Sequence, residues 1–338
     1  MTPPAPIRRL VLAPLFVALV AFLIGISPAL FVLAAVWSVV IRRRAPLRLL
    51  VLGLTYLARD ALGTVAGFGL WVGSGFGLAL RTGPMRQRHY DLMGWFVSGL
   101  VAAAERTVRL KVAIEDSEPA EAALLELRRP AIVLSRHAGV GDSFLLVDRL
   151  LVRYGRRPRV VLKAALQLDP FIDQFGNRVP NCFIESSDDD PAEGIARLAE
   201  GLDGRDALLL FPEGGNFSAE RHERAVEHLE EEGHERDAAR ARELENLLPP
   251  QPSGTLAALE GAPGADVVFI AHAGLPPVFS SLGELWAAVP LRRPVRMRLW
   301  LVPGSEVPTT EEERWEWLFG WWERLDAWID APAQPSGD

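Results

Sequence analysis

From Leu10 to Ile41 the chain is almost purely apolar, and a run of that length constrains the fold more than any other feature of the sequence. At about 1.5 Å per residue it exceeds a hydrocarbon core of about 30 Å, and it is too long for a signal peptide. Arg8 and Arg9 precede it, Arg42, Arg43 and Arg44 follow it, and Ser27-Pro28 interrupts its middle. The positive-inside tendency puts both basic ends on the cytoplasmic side of a membrane, which favours a bent or re-entrant hairpin over one tilted span. A second apolar stretch, about 47–80, contains Arg59-Asp60, a pair that is costly in lipid unless it reaches the interface or pairs within protein. It reads as membrane-dipping or interfacial. Gly69, Gly73 and Gly77 recur in it every fourth residue, either as a helix face for close packing or as glycines that loosen a helix end.

Charge divides the chain the same way. Residues 1–111 carry 13 Lys+Arg against 3 Asp+Glu, and the rest carries 23 against 40, so the net charge of −7 hides a basic apolar third before an acidic remainder. Basic residues beside apolar stretches suit an anionic lipid surface rather than nucleic acid. Cys182 is the only cysteine, so an intrachain disulfide and paired metal thiolates are both excluded, and the part after the apolar third is expected to face the cytosol.

Beyond an amphipathic stretch around Leu92 to Arg109, short apolar runs alternate with longer helical patterns. The runs are AIVL (131–134), RVVLK (159–163), NCFI (181–184), ALLLF (207–211), VVFIAH (267–272) and VRMRLWLV (295–302). That alternation predicts an α/β layer architecture with a mixed, largely parallel sheet flanked by helices. Residues 219–247, dense in Glu, Arg and Ala, read as a charged helix pair broken near Gly233. His222, His228 and His234 lie six residues apart, which on a continuous helix points them in different directions, so a solvated face is expected there rather than a metal site. Thr310 and Glu313 form a possible capping box before Trp315, Trp317, Trp321, Trp322 and Trp328, which read as core packing or as a membrane-interface belt.

Two loops carry the candidate chemistry. SRHAGVGDSF, Ser135 to Phe144, joins a strand to a helix that begins near Gly141, with His137 on the turn and Asp142 in the first helical turn. An aspartate there suits the positive end of the helix, and it can hold a proton on one imidazole nitrogen while the other faces a hydroxyl. A general base so held contributes roughly 10²–10⁴ in rate. Backbone N–H groups of the same turn could face a developing oxyanion. The residues alone allow a structural His-Asp hydrogen bond as readily as a catalytic pair. The second loop, Pro212-Glu213-Gly214-Gly215, follows another apolar strand directly, as in a sheet-edge loop where backbone approaches a ligand. No G-x-S-x-G elbow gives Ser143 a hydrolase context, GFGLWVGSGFG does not complete a dinucleotide fingerprint, and neither a P-loop nor a zinc spacing is present.

Together, H-x-x-x-x-D and the downstream FPEG resemble the glycerophospholipid acyltransferase family, which contains the 1-acylglycerol-3-phosphate acyltransferases, over roughly residues 89–305. Lys163 in VVLKAALQLDPFID matches the family's basic residue after the first motif, FIES (Phe183 to Ser186) its second block, and LLPPQPSG (Leu247 to Gly254) resembles the block of the lysocardiolipin-type branch. The resemblance implies the glycerolphosphate acyltransferase fold, divided into membrane-anchoring helices (1–88), an α/β acyltransferase domain (89–308) with the charged insertion, and a Trp-rich C-terminal helix and tail (309–338). It implies a membrane-associated enzyme of phospholipid biosynthesis. The acyl group would pass from acyl-CoA or acyl-carrier protein to a lysophospholipid hydroxyl, with His137 as base, Asp142 orienting it, and neither cofactor nor metal. Glu213, Gly214, Gly215 and Asn216 would shape the acceptor site and Lys163 would lie near the phosphate, on the cytoplasmic face of the cell membrane. Ser186, Asn216 and Gln251 stand where the family usually has arginine, and none can fork onto a phosphate. Arg136, Arg178 and Arg221 are the candidate replacements, and a head group other than a bare phosphomonoester is implied as an option. A glycolipid acceptor, or a membrane-anchored lipid-binding protein without turnover, are the alternatives.

Overall fold

Apolar sequence favours continued helix, and a proline ends it unless a widened turn absorbs its missing donor, as the π-helical turn Arg8–Leu12 does ahead of Pro14. The computed structural model describes residues 2–184, 192–275 and 286–332. In it α1 (Ala5–Gly25) and α2 (Ser27–Val40) meet at the Ser27-Pro28 break. Arg8 in α1 donates to Asp173 Oδ1 at 2.7 Å, and Arg43, just past α2, donates to the Ala287 carbonyl at 3.2 Å. Both ends of the pair therefore lie against the body of the protein, while Leu10, Phe22, Leu33 and Val39 are exposed. The fourteen residues of α2 measure about 21 Å, short of a hydrocarbon core.

Helix α3 (Ala45–Gly73) and α1 are long and apolar enough to cross a membrane, by length and composition. The Arg59-Asp60 pair is accommodated within protein. Arg59 donates to the carbonyls of Trp95 and Phe96 on α4 (Gly83–Thr107) and lies 4.0 Å over the Trp95 ring; Asp60 is fully buried and accepts from Thr64 Oγ1 at 3.3 Å. The glycine stripe expected at 69, 73 and 77 does not form, because α3 ends at Gly73 and Gly77 sits in the following turn at φ +100°. Close approach occurs instead at Gly63 and Gly67, where a Cβ would stand 2.7 Å from Phe171 and Gln174. Helix α4 runs unbroken across residue 88, so no structural boundary falls there, and its Tyr90, Phe96 and Leu100 pack in one cluster with Phe171.

Strands covered on both faces are apolar at nearly every position. Ala131–Ser135 (β2) and Asp206–Leu210 (β5) are of this kind, buried throughout. They lie in a seven-stranded sheet of order β1-β7-β6-β2-β5-β3-β4, whose other strands are β1 (Val112–Glu115), β3 (Arg157–Lys163), β4 (Cys182–Ile184), β6 (Asp266–Ala273) and β7 (Val295–Val302). Among the described residues only β6 and β7 pair antiparallel. The expected α/β class with a mixed, largely parallel sheet is what the chain forms. Its one unmarked strand, β1, is a half-buried edge of four residues with too little apolar sequence to stand out.

Alternation within the strands divides the core into two layers. Val133, Leu209 and Ile270 pack with Leu124 of α5 (Glu118–Glu126) and with Leu145 and Leu146 of α6 (Val140–Asp148). Ile132, Leu208 and Phe269 face the other way, toward Leu198, Ala258 and Trp322. Burying each such side chain contributes about 1.5–3 kcal/mol. Helix α7 (Pro170–Gly176) carries Asp173 and Phe171 against α1 and α3, and α8 (Ala192–Ala199) belongs to the second layer. The charged insertion is the expected pair, α9 (Ala219–Glu231) and α10 (Glu235–Arg242), broken at Gly233 with φ +80°. Its histidines diverge: His222 Nε2 meets the Ala241 carbonyl at 2.9 Å, His228 pairs with Glu232, and His234 precedes α10. Among the described residues no group of three His, Cys, Asp or Glu could hold a metal ion. After α11 (Pro252–Gly261), α12 (Glu311–Asp330) begins with the Thr310–Glu313 box. Its tryptophans pack the core: Trp322 is fully buried and Trp321 stacks on Phe269 at 4.5 Å.

Candidate active site

In open α/β sheets, ligands bind outside the carboxyl ends of strands where the chain's course reverses. β2 lies between β5 and β6, and all three run parallel. Their carboxyl ends therefore bring three segments to one edge of the sheet: Arg136–Asp142, Phe211–Asn216 and His272.

The turn after β2 is organised by one carboxylate. Asp142, 1% exposed, accepts the His137 Nδ1 proton on Oδ1 at 3.1 Å. Ser143 Oγ donates to the same oxygen at 3.3 Å. Its Oδ2 accepts from the backbone N–H of Ala138 at 2.5 Å and of Gly139 at 3.1 Å. Burial raises the pKa of Asp142, but the hydrogen bond from His137 and the nearby imidazole of His272 more than offset this and hold it below the usual carboxylate range. The carboxylate is thus ionised at neutral pH and holds the proton of His137 on Nδ1, leaving Nε2 with a free lone pair. Nε2 has no partner among the described residues, and the His137 ring rests against Phe211 at 4.4 Å between centroids. Asp142 consumes the N–H groups of Ala138 and Gly139, so the expectation that this turn offers them to an oxyanion fails for those two donors.

Glu213 plays a different part from the one its sequence position suggests. It is 3% exposed, and both oxygens point inward. Oε1 accepts from the His137 backbone N–H at 2.7 Å and Oε2 from that of Leu248 at 3.0 Å. Burial pushes its pKa up to about 8 against the opposing pull of those two N–H groups and of Arg136. Glu213 is therefore a clamp holding the His137 backbone to the Leu247–Gly254 block, rather than a wall of the acceptor site. A second tie joins the Gln251 N–H to the Pro212 carbonyl at 2.8 Å. The clamp is braced in turn by α12: Trp322 Nε1 donates to the Leu248 carbonyl at 3.0 Å, and Asp326 accepts from the N–H groups of Glu245 and Asn246 at 3.0 and 2.8 Å. Gly214 adopts φ +63°, where a Cβ would also meet the Gln251 amide at 2.7 Å, which explains glycine there.

The remaining expected residues separate. Lys163 ends β3 at the same edge and is exposed. Gly215 and Asn216 continue the β5 loop, and their N–H groups have no partner among the described residues. Arg221, at the start of α9, folds back over this loop and donates to the Asn216 carbonyl at 3.2 Å. Arg136 was expected to contact substrate, but its guanidinium is spent inside, donating to the carbonyls of His272 at 2.8 Å and Asn246 at 3.3 Å. Arg178 is also engaged elsewhere. It donates to the Gly67 carbonyl on α3 at 2.6 Å beside His89 Nε2, and burial together with the nearby charge of Arg9 brings its pKa down to about 10. Ser186 lies outside the described residues. His272 escaped notice in the sequence, where the only cue was a histidine ending an apolar strand.

The fold and site define an open α/β sheet protein with a hydrogen-bonded His-Asp pair at the carboxyl edge of its parallel strands. Residues 110–242 match the protein family described as Acyltransferase, a span that runs from just before β1 to the end of α10 and includes His137, Asp142, Lys163 and Glu213. That match supports the broad acyltransferase family and acyl transfer as the chemistry of this domain. No curated protein matches the chain.

Proposed function

We propose that the protein moves a fatty acyl group from an acyl thioester, acyl-CoA or acyl-carrier protein, to a hydroxyl of a lysophospholipid at a membrane surface. The observation that carries this reading is the His137–Asp142 pair, with Nδ1 bonded to the carboxylate at 3.1 Å and Nε2 open at the sheet edge. The acceptor O–H gives its proton to His137 Nε2 as its oxygen bonds to the thioester carbon. Asp142 steadies the imidazolium that results. The tetrahedral intermediate then expels the thiolate, which takes the proton back from Nε2. Transfer is direct, so no serine or cysteine nucleophile takes part, and Ser143 is occupied with Asp142. The N–H groups of Gly215 and Asn216 are among the donors the second loop leaves for an oxyanion or a head-group oxygen.

Arg221 is the arginine of the three candidates that remains at this loop, and with Lys163 it offers positive charge to a phosphate-bearing head group. The apolar α1–α2 pair, both of whose ends contact the α/β body, supports membrane anchoring, and the arginines at those ends favour the cytoplasmic face, with the site beside acceptor and product. The LLPPQPSG block, Leu247 to Gly254, favours a lysocardiolipin-type acceptor. The test is a panel of lysophospholipids and glycolipids incubated with labelled acyl-CoA or acyl-carrier protein. Acylation of a lysophospholipid, lost in His137→Ala, is expected. Acylation of nothing, or an alanine variant as fast as wild type, refutes the proposal, and a glycolipid product moves the acceptor to that class.

A further inference from the structure

One buried titratable side chain stands beside the pair without a part in the proton transfer just described. His272, near the end of β6, is fully buried, and neither ring nitrogen has a hydrogen-bond partner. Its Nε2 stands 3.4 Å from Asp142 Oδ2, a contact between two side chains each 1% exposed. An apolar residue would fill an interior strand position without stranding two polar atoms, so what imidazole adds here is its reach to Asp142. Its place is fixed from behind, because Arg136 Nη1 donates to the His272 carbonyl at 2.8 Å and so ties β6 to the turn that carries His137. The charged and titratable groups that face it are Asp142 from α6 and Arg136 and His137 from that turn. Burial, opposed by Asp142, holds its pKa below the ordinary histidine value, so it is neutral at pH 7 with one N–H to offer.

We propose that His272 is a positioning residue that shares the Asp142 carboxylate with His137, engaging Oδ2 while His137 uses Oδ1, and thereby limits how tightly Asp142 holds the proton of His137. The inference rests on the reading of His137 as the base. Its consequence has a definite sign. Without the His272 N–H, the negative charge of Asp142 acts more fully on His137 and favours the imidazolium. His137 must be neutral to accept a proton, so the rising limb of activity with pH moves to higher pH.

The test compares wild type with three variants: His272→Leu, an apolar filler; His272→Asn, a polar residue too short to reach Oδ2; and His272→Gln, whose amide reaches about as far as imidazole. In kcat/KM profiles the Leu and Asn limbs move up by at least about half a pH unit, and the Gln limb stays with wild type. A purely structural role predicts lower activity in all three with the limb unmoved, and that result overturns the proposal. Nitrogen NMR of ring-labelled histidine in the same proteins follows the His137 titration without needing turnover. The same upward displacement in Leu and Asn supports the inference even if no acceptor is found, and an unmoved titration overturns it. A wild type inactive on every acceptor counts instead against acyl transfer itself. If Leu does not fold, Asn and Gln decide the matter alone.

Discussion

Asp142→Asn is the sharpest perturbation of this site, because shape is kept and only one proton is misplaced. In the wild type, Oδ2 accepts from Ala138 N–H at 2.5 Å and Gly139 N–H at 3.1 Å, while Oδ1 meets His137 Nδ1 at 3.1 Å. The asparagine amide oxygen must stay on the two backbone donors, since turning the NH₂ toward them sets donor against donor. The NH₂ then faces His137 Nδ1, which can only accept, and the single ring proton moves to Nε2. Nε2 is the atom that must be vacant to take the acceptor's proton. The loss is that of general-base catalysis, about 10²–10⁴, and the equivalent tautomer error in a serine-protease triad costs about 10⁴. A fall in kcat of about 10³–10⁴ is expected, or about 4–5.5 kcal/mol at 1.36 kcal/mol per decade. The assay is steady-state acyl transfer from a labelled thioester to the best acceptor, with thermal unfolding alongside. Two of the carboxylate's bonds survive, so the variant folds. Its stability differs in pH dependence: the depressed pKa of Asp142 contributes stability above about pH 4 that wild type loses as pH falls, and asparagine removes that acid sensitivity. A folded variant with kcat within tenfold of wild type refutes the assignment of Asp142 as the group that fixes the tautomer.

Glu213→Gln puts one NH₂ against a backbone donor, either His137 N–H or Leu248 N–H, and is expected to lose about 1–3 kcal/mol in denaturant unfolding. The raised pKa of Glu213, about 8, keeps a proton in the folded state that the unfolded chain releases near pH 4.3; wild-type stability therefore declines from about pH 4.3 to 8, and the slope flattens in Gln. Asp173→Ala leaves Arg8, 9% exposed, without its carboxylate; a loss of about 3–5 kcal/mol is expected, seen as faster proteolytic release of α1. Gly63→Leu drives side-chain atoms into Phe171, which already lies 2.7 Å from the Cβ position, and about 1–3 kcal/mol of overpacking should lower the melting temperature.

The strands were readable because burial on both faces demands apolar residues at almost every position, and AIVL and ALLLF meet that demand. The His137–Asp142 pair was readable for another reason: its partners are five residues apart, and one turn into a helix brings them within hydrogen-bonding reach. The break at Gly233 and the cap at Thr310 are equally local. What the sequence could not determine was where long side chains end. Glu213 turns inward to clamp two backbones, Arg136 is spent on carbonyls, and Arg178 reaches α3, while Arg221 alone of the three arginines stays over the β5 loop. The glycines used for close approach are Gly63 and Gly67, because Phe171 and Gln174 lie opposite them, and periodicity pointed elsewhere. His272 belongs to the same class. Its partner Asp142 reaches it only because β6 pairs with β2, and strand pairing is settled by the packing of the whole sheet rather than by any neighbour in sequence. Local backbone geometry made the base and its aspartate legible; the direction of each side chain that supports them depends on contacts made across the fold, and only the tertiary structure decided it.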